Sequence, residues 1–92
     1  VRKAEVREKA FAYRLKKYGL TPAKYRAMLR LQGGTCAICG RPPRSIRLHV
    51  DHNHKTGKVR ALLCYFCNRR VVGRHTLKSA RQLLDYMEKY DV

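Results

Sequence analysis

Two Cys-x-x-Cys pairs constrain this chain more than any other feature. They are Cys36-Ala37-Ile38-Cys39 and Cys64-Tyr65-Phe66-Cys67, separated by residues 40 to 63. Four thiolates at this spacing suit a closed tetrahedral zinc site that clamps two chain segments together. Two disulfides or a pair of redox thiols are the alternatives, and the paired x-x spacing favours metal over both. At 92 residues and 10.7 kDa the chain is one domain, near the lower limit for burying a sufficient core, so a metal staple answers a real need.

Charge is the second constraint. The formal net charge is +16, and the basic residues are spread along the chain: 10 Lys/Arg against 2 Glu in residues 1–30, 6 against 1 in 31–60, and 6 against 3 in 61–92. Such self-repulsion destabilises a small compact domain unless a polyanion offsets it. Nucleic acid is therefore the expected partner, held largely through phosphates. No apolar run approaches membrane-spanning length and no apolar h-region marks a signal peptide. The expectation is an intracellular protein, not secreted and with no membrane partner. The absence of a long heptad seam argues for a monomer.

Residues 1–18 read as a helix in which Val6, Ala10, Phe11, Leu15 and Tyr18 lie near one face, with Arg2, Lys3, Lys9 and Lys16 on the outer, basic side. Gly19 ends it. Thr21-Pro22 restarts the chain as N-cap and first helical residue, and Tyr25, Met28, Leu29 and Leu31 are core until Gly33-Gly34. Pro42-Pro43 makes residues 41–45 a loop. Residues 46–50 alternate as a half-buried strand, 51–58 turn, and 59–63 return as a second strand. A short helix from Cys64 to about Val72 carries Asn68 and is broken by Gly73. A last helix from Leu77 to Tyr90 is expected to pack against the domain through Leu77, Ala80, Leu83, Leu84 and Met87. The fold class is a small zinc-stapled α+β domain. Its parts are basic N-terminal helices (1–32), a zinc-bound core (33–75) and a C-terminal helix (76–92).

Between the cysteine pairs stands Asp51-His52-Asn53-His54, and Asn68 follows the second pair directly. Cutting a phosphodiester needs a base for water and a cation for the developing negative charge. His52 can supply an imidazole base, which works near neutral pH. Asp51 and Asn68 can supply a charged and a neutral oxygen to a hard ion such as Mg2+ or Mn2+, leaving positions open for water and phosphate. In a regular strand Asp51 and His52 face opposite sides, so the strand must bend there for both to flank one substrate. Arg60, Arg69 and Arg70 flank the cluster as candidate DNA contacts. His49 reads as an outward-facing strand residue, His75 as a loop or helix-start residue, and Asp85, Glu88 and Asp91 as helix-surface charges.

These motifs together, from Tyr18-Gly19-Leu20 through Gln32 to Gly40, Val50 to His54, Gly57 to Cys64 and Cys67-Asn68, resemble the phage recombination endonuclease VII family of HNH nucleases over roughly residues 18–75. The resemblance implies a ββα-metal (HNH, His-Me finger) core flanked by helices, structural zinc on Cys36, Cys39, Cys64 and Cys67, and divalent-metal hydrolysis of DNA. By position, Asp51 and Asn68 resemble the metal ligands and His52 the general base. His54 resembles a residue that positions phosphate or metal. Ala61 stands where the family usually has Gly, and no acidic residue precedes Gly73. The long extension of junction-resolving members has no counterpart in these residues. The expected activity is thus nicking or cutting of duplex DNA with little sequence preference, in a host cytoplasm if phage-encoded, beside phage DNA-processing or packaging partners. A non-catalytic zinc-stapled nucleic-acid-binding module is the alternative, and RNA remains a possible polymer because the phosphodiester chemistry is shared.

Overall fold

The structure, a computed structural model, describes residues 3–91; Val1, Arg2 and Val92 lie outside it. The order is α1 (Lys3–Leu15), a 3-10 turn (Lys16–Tyr18), α2 (Pro22–Leu31), β1 (His49–His52), β2 (Val59–Leu63), a π-turn (Cys67–Val71), a second 3-10 turn (Val72–Arg74) and α3 (Leu77–Tyr90). The expected α+β architecture is thus present: one two-stranded antiparallel sheet, flanking helices, and a cluster of four cysteines. No described helix is long and apolar enough to cross a membrane.

The helix ends follow from local chemistry. Thr21 caps α2 through its Oγ1, which accepts from the Lys24 amide at 3.2 Å, and Pro22 opens the first turn. Both α2 and the 3-10 turn after α1 stop in paired closing bonds. Leu20 N–H donates to Leu15 O and Gly19 N–H to Lys16 O; Gly34 N–H donates to Leu29 O and Gly33 N–H to Arg30 O. This closure requires a left-handed residue, and Gly19 and Gly33 supply it, each at φ 70°.

The core is small. Phe11, Leu15, Tyr25, Leu48, Leu62 and Leu63 are buried together with Cys36 and Cys67. Phe11 meets Tyr25 edge to face at 5.0 Å, and the Tyr25 hydroxyl donates to Leu48 O at 2.6 Å. Zinc binding at a thiolate site contributes roughly 10–16 kcal/mol, comparable with the whole stability of a domain, about 5–15 kcal/mol. With so few apolar side chains enclosed, the cysteine cluster is part of what decides folding.

Several expectations are corrected. The first strand starts at His49, not Ile46. Leu48 is held by the Tyr25 hydroxyl rather than by a ladder partner, and Ile46 and Arg47 stay exposed in an irregular approach. Val6 and Leu31 are exposed rather than core. The largest departure is α3. Its capping box forms as Thr76 and Ser79 exchange side-chain and backbone bonds, yet none of its side chains is buried. Leu77, Leu83, Leu84 and Met87 are exposed, so the expected packing against the domain does not occur. Capping and propensity suffice to specify the helix without a partner for its apolar face.

Candidate active site

The first cysteine pair is held against the sheet by the main chain. Ala37 N–H donates to Leu62 O at 3.1 Å, Cys36 N–H to Arg41 O at 2.9 Å, and Gly40 N–H to Cys36 O at 3.0 Å. The second pair opens the π-turn, where Cys67 N–H points at Cys64 Sγ at 3.4 Å. All four Sγ atoms lie within 4.8 Å of one another, and Cys39 Sγ and Cys64 Sγ are 3.8 Å apart. A tetrahedron with Zn–S bonds of about 2.3 Å has an edge of about 3.8 Å, so this geometry is compatible with structural zinc. The thiols are unlike one another without metal. Burial raises Cys36, but N–H groups of Cys64, Cys39 and Ile38 and the Cys39 side chain outweigh it and bring it down to about 6. Burial, with the neighbouring thiols, pushes Cys67 up to about 12.

Gln32 ties this cluster to α2, a role its sequence position did not advertise. Its Nε2 donates to Thr35 O at 2.8 Å and Leu62 O at 2.9 Å, while its Oε1 accepts from Leu62 N–H at 2.8 Å. With Ala37 N–H, this side chain satisfies Leu62 at the free edge of β2, where a third strand would otherwise pair.

The ladder between β1 and β2 breaks at one place. Asp51 pairs with Ala61 but His52 pairs with Val59, leaving Arg60 as an extra residue on β2. The extra residue lies on β2, so it is the Arg60 side chain that the bulge re-aims, toward Asp51 on the facing strand. Asp51 is the one buried charged residue among those described, 6% exposed. Arg60 meets it side-on, Nε to Oδ2 at 2.7 Å and Nη2 to Oδ1 at 2.9 Å. That hydrogen bond raises the Arg60 pKa further, against a smaller opposing effect of burial. The carboxylate position is one that calls for a cation beside it.

The half-buried His52 ring lies near two others, each tilted to it: His54 at 4.4 Å and 49°, Tyr18 at 5.3 Å and 48°. The two histidines are thus brought together, and Tyr18, a helix-face residue that also opens the family-like motif, lies beside them. Asn53 makes the turn rather than the chemistry. Its Oδ1 accepts from Lys55 N–H at 2.8 Å and Thr56 N–H at 3.1 Å, as an Asx turn does. Asn68 lies in the π-turn with its N–H on Cys64 O at 2.9 Å, which ties its backbone to the four-cysteine cluster. Gly73 closes on the same residue: a Cβ there would stand 2.9 Å from Asn68 O. Arg69 lies over the Tyr65 ring at 5.4 Å, and both Arg69 and Arg70 are exposed.

His49 departs from expectation. It is half-buried rather than outward-facing, edge-on to Tyr65 at 5.8 Å, and its Nε2 is enclosed without a hydrogen-bond partner.

A family model described as recombination endonuclease VII matches residues 12–89. The Gene 59 protein of Mycobacterium phage D29 is 44% identical over 75 residues, 78% of this chain and 46% of that protein. The Gene 59 protein of Mycobacterium phage L5 is 42% identical over 73 residues, 78% of this chain and 42% of that protein. The chain therefore spans less than half the length of these curated relatives. No solved structure matches it significantly.

Proposed function

Because this chain belongs to the recombination endonuclease VII family, we propose that it is a metal-dependent HNH endonuclease that hydrolyses phosphodiester bonds of DNA. The observation that supports the reading is the His52 and His54 rings 4.4 Å apart, next in sequence to the buried carboxylate of Asp51, in a chain that the family model matches over residues 12–89. In this reading β1, β2 and the turn bearing Asn68 are a ββα-metal core within residues 33–75. The helices before it and α3 after it flank that core, and zinc on the four cysteines is structural.

His52 takes the proton from a water whose oxygen attacks phosphorus. The phosphorus–oxygen bond to the 3′ carbon's oxygen breaks, and that oxygen leaves with a proton from solvent, giving a 3′ hydroxyl and a 5′ phosphate. The Tyr18 and His54 rings both pack near the imidazole. Asp51 and Asn68 are the hard oxygen donors assigned to a divalent ion, Mg2+ or Mn2+, and His54 helps position the phosphate or that ion. When bound, the ion supplies a Lewis acid at the phosphate and the departing oxygen. Arg60 uses two of its five N–H groups on Asp51, leaving three for a phosphate, and Arg69 and Arg70 offer further cationic contacts. The substrate is duplex DNA, nicked or cut with little sequence preference.

Supercoiled plasmid incubated with the zinc-loaded protein and Mg2+ or Mn2+ is expected to be nicked, and chelation to stop it. His52→Ala is expected to abolish cleavage while retaining DNA binding and zinc. Normal cutting by that variant refutes the mechanism. Binding without cutting by the unaltered protein would make it the zinc-stapled binding module instead.

A further inference from the structure

A groove outside the cluster just described runs between α1 and the segment that enters β1. Its cavity is about 630 Å3, and its lining includes Arg7, Arg14, Lys17 and Arg47 and no acidic residue. All four cations are exposed. Glu8, the carboxylate next to Arg7, is turned away and bound by Arg26 of α2 at 2.8 and 2.9 Å. Arg47 is fixed on the groove wall by stacking over the Phe11 ring at 3.9 Å. Tyr18 lines the same groove, and its ring is 5.3 Å from that of His52. These are not the cations of the outer helix face singled out by the sequence pattern; Arg7 and Arg14 became visible only once the helix was docked.

We propose that this groove is a track for one strand of the sugar–phosphate backbone, delivering it past Tyr18 to His52. The inference rests on the nuclease reading above and deepens it by giving the substrate a path. Four like charges lining one concave surface repel one another and attract a polyanion. Arg7 and Arg14 are seven residues apart on one helix, which is about 10 Å along its axis. Successive phosphates of one strand rise about 3.4 Å along the duplex axis but lie about twice as far apart through space, so that span covers about two of them. The track is therefore a short footprint of backbone contacts, indifferent to base sequence.

The test is fluorescence anisotropy of a labelled DNA duplex across a salt series, with zinc-loaded protein and no added divalent ion, so that binding is read without cleavage. Arg7→Gln/Arg14→Gln/Lys17→Gln is expected to bind more than tenfold more weakly at low salt. Its plot of log affinity against log salt should be shallower by about 2 to 3, since each lost phosphate contact removes about 0.9. Lys78→Gln/Arg81→Gln/Lys89→Gln, which removes the same charge from α3, should change the slope by less than about 1. If both triple variants shift alike, or neither shifts, the groove is not the track. Should the first triple lose zinc or helix content, Arg14→Gln alone is read for a slope change of about 0.9, and no change overturns the proposal. If the unaltered protein binds and nicks DNA while the groove variants match it, only the groove fails; if it binds no DNA, the nuclease reading fails too.

Discussion

Arg60 grips the Asp51 carboxylate along one edge of its guanidinium, Nε on Oδ2 and Nη2 on Oδ1. Asp51 is enclosed, whereas the Arg60 side chain is 45% exposed. Removing one partner of a buried pair is destabilising because the other charge is left uncompensated, and partial exposure moderates the loss. Arg60→Met is therefore expected to lower the stability of the zinc-loaded protein by about 1–3 kcal/mol. It also frees the carboxylate for another cation. Mg2+ or Mn2+ should then raise the melting temperature of Arg60→Met more than that of the unaltered protein, by mass action on the folded state. Equal shifts in the two proteins would mean that Arg60 does not compete with the ion for Asp51.

Gln32 is the test of how the cysteine cluster is held to the sheet. Gln32→Ala leaves Leu62 N–H without its partner, while Leu62 O loses one donor and keeps Ala37 N–H. Unsatisfied buried backbone groups cost about 1–3 kcal/mol each at most, and water can reach a half-buried site, so a loss of about 1–3 kcal/mol in total is expected. Urea unfolding of the zinc-loaded variant, with zinc stoichiometry measured alongside, reads it. A full zinc complement with an unchanged midpoint would show the clamp to be dispensable.

Much of the fold was legible because its signals are local. Thr21-Pro22, Gly19 and Gly33-Gly34 bracket helices through backbone chemistry that acts within a few residues, and both α3 and β2 begin and end where their patterns do. The paired cysteines carry their spacing in the sequence itself. What stayed hidden depends on contacts between distant segments. The start of β1 is decided by the Tyr25 hydroxyl reaching Leu48 across 23 positions. Gln32 acts across 30. Tyr18 joins the site because the chain folds it onto His52, and no spacing rule reports that. The apolar stripe of α3 was read correctly as a stripe, but periodicity does not say whether anything covers it.

The pair between Glu8 and Arg26 links α1 to α2 and gives a pH signature. The hydrogen bond from Arg26 holds the Glu8 carboxyl below its ordinary value, with burial opposing and the charges of Arg26 and Arg47 adding to the lowering. A carboxylate depressed in the folded state contributes stability above its unfolded value near 4.5, and this is lost as pH falls through the lower folded value. Glu8→Gln should therefore melt slightly below the unaltered protein at neutral pH and low salt. The gap should close in acid below that range, and also at high salt, because the pair is exposed and screened. A gap that persists in acid would mean Glu8 acts through packing instead.

In the proposed nuclease reading, Asn68 is where a structural and a catalytic metal role can be separated. Its N–H rests on Cys64 O, the Cys67 N–H points at Cys64 Sγ, and Gly73 passes so close that a Cβ would meet Asn68 O at 2.9 Å. The zinc-site loop thus fixes the backbone of Asn68 from one side and Gly73 from the other. Asn68→Ala removes only the amide and should keep zinc and fold while losing most metal-dependent nicking. Cys64→Ser should lose zinc, the turn and the nicking together. Gly73→Ala is the discriminating case: a contact under 3.0 Å with a backbone oxygen forces the turn to shift, so nicking should fall at least tenfold with zinc still bound. Zinc content, far-ultraviolet circular dichroism and the plasmid assay on the same samples distinguish these outcomes. If Gly73→Ala nicks normally with its turn intact, the position of Asn68 is not what the reaction depends on.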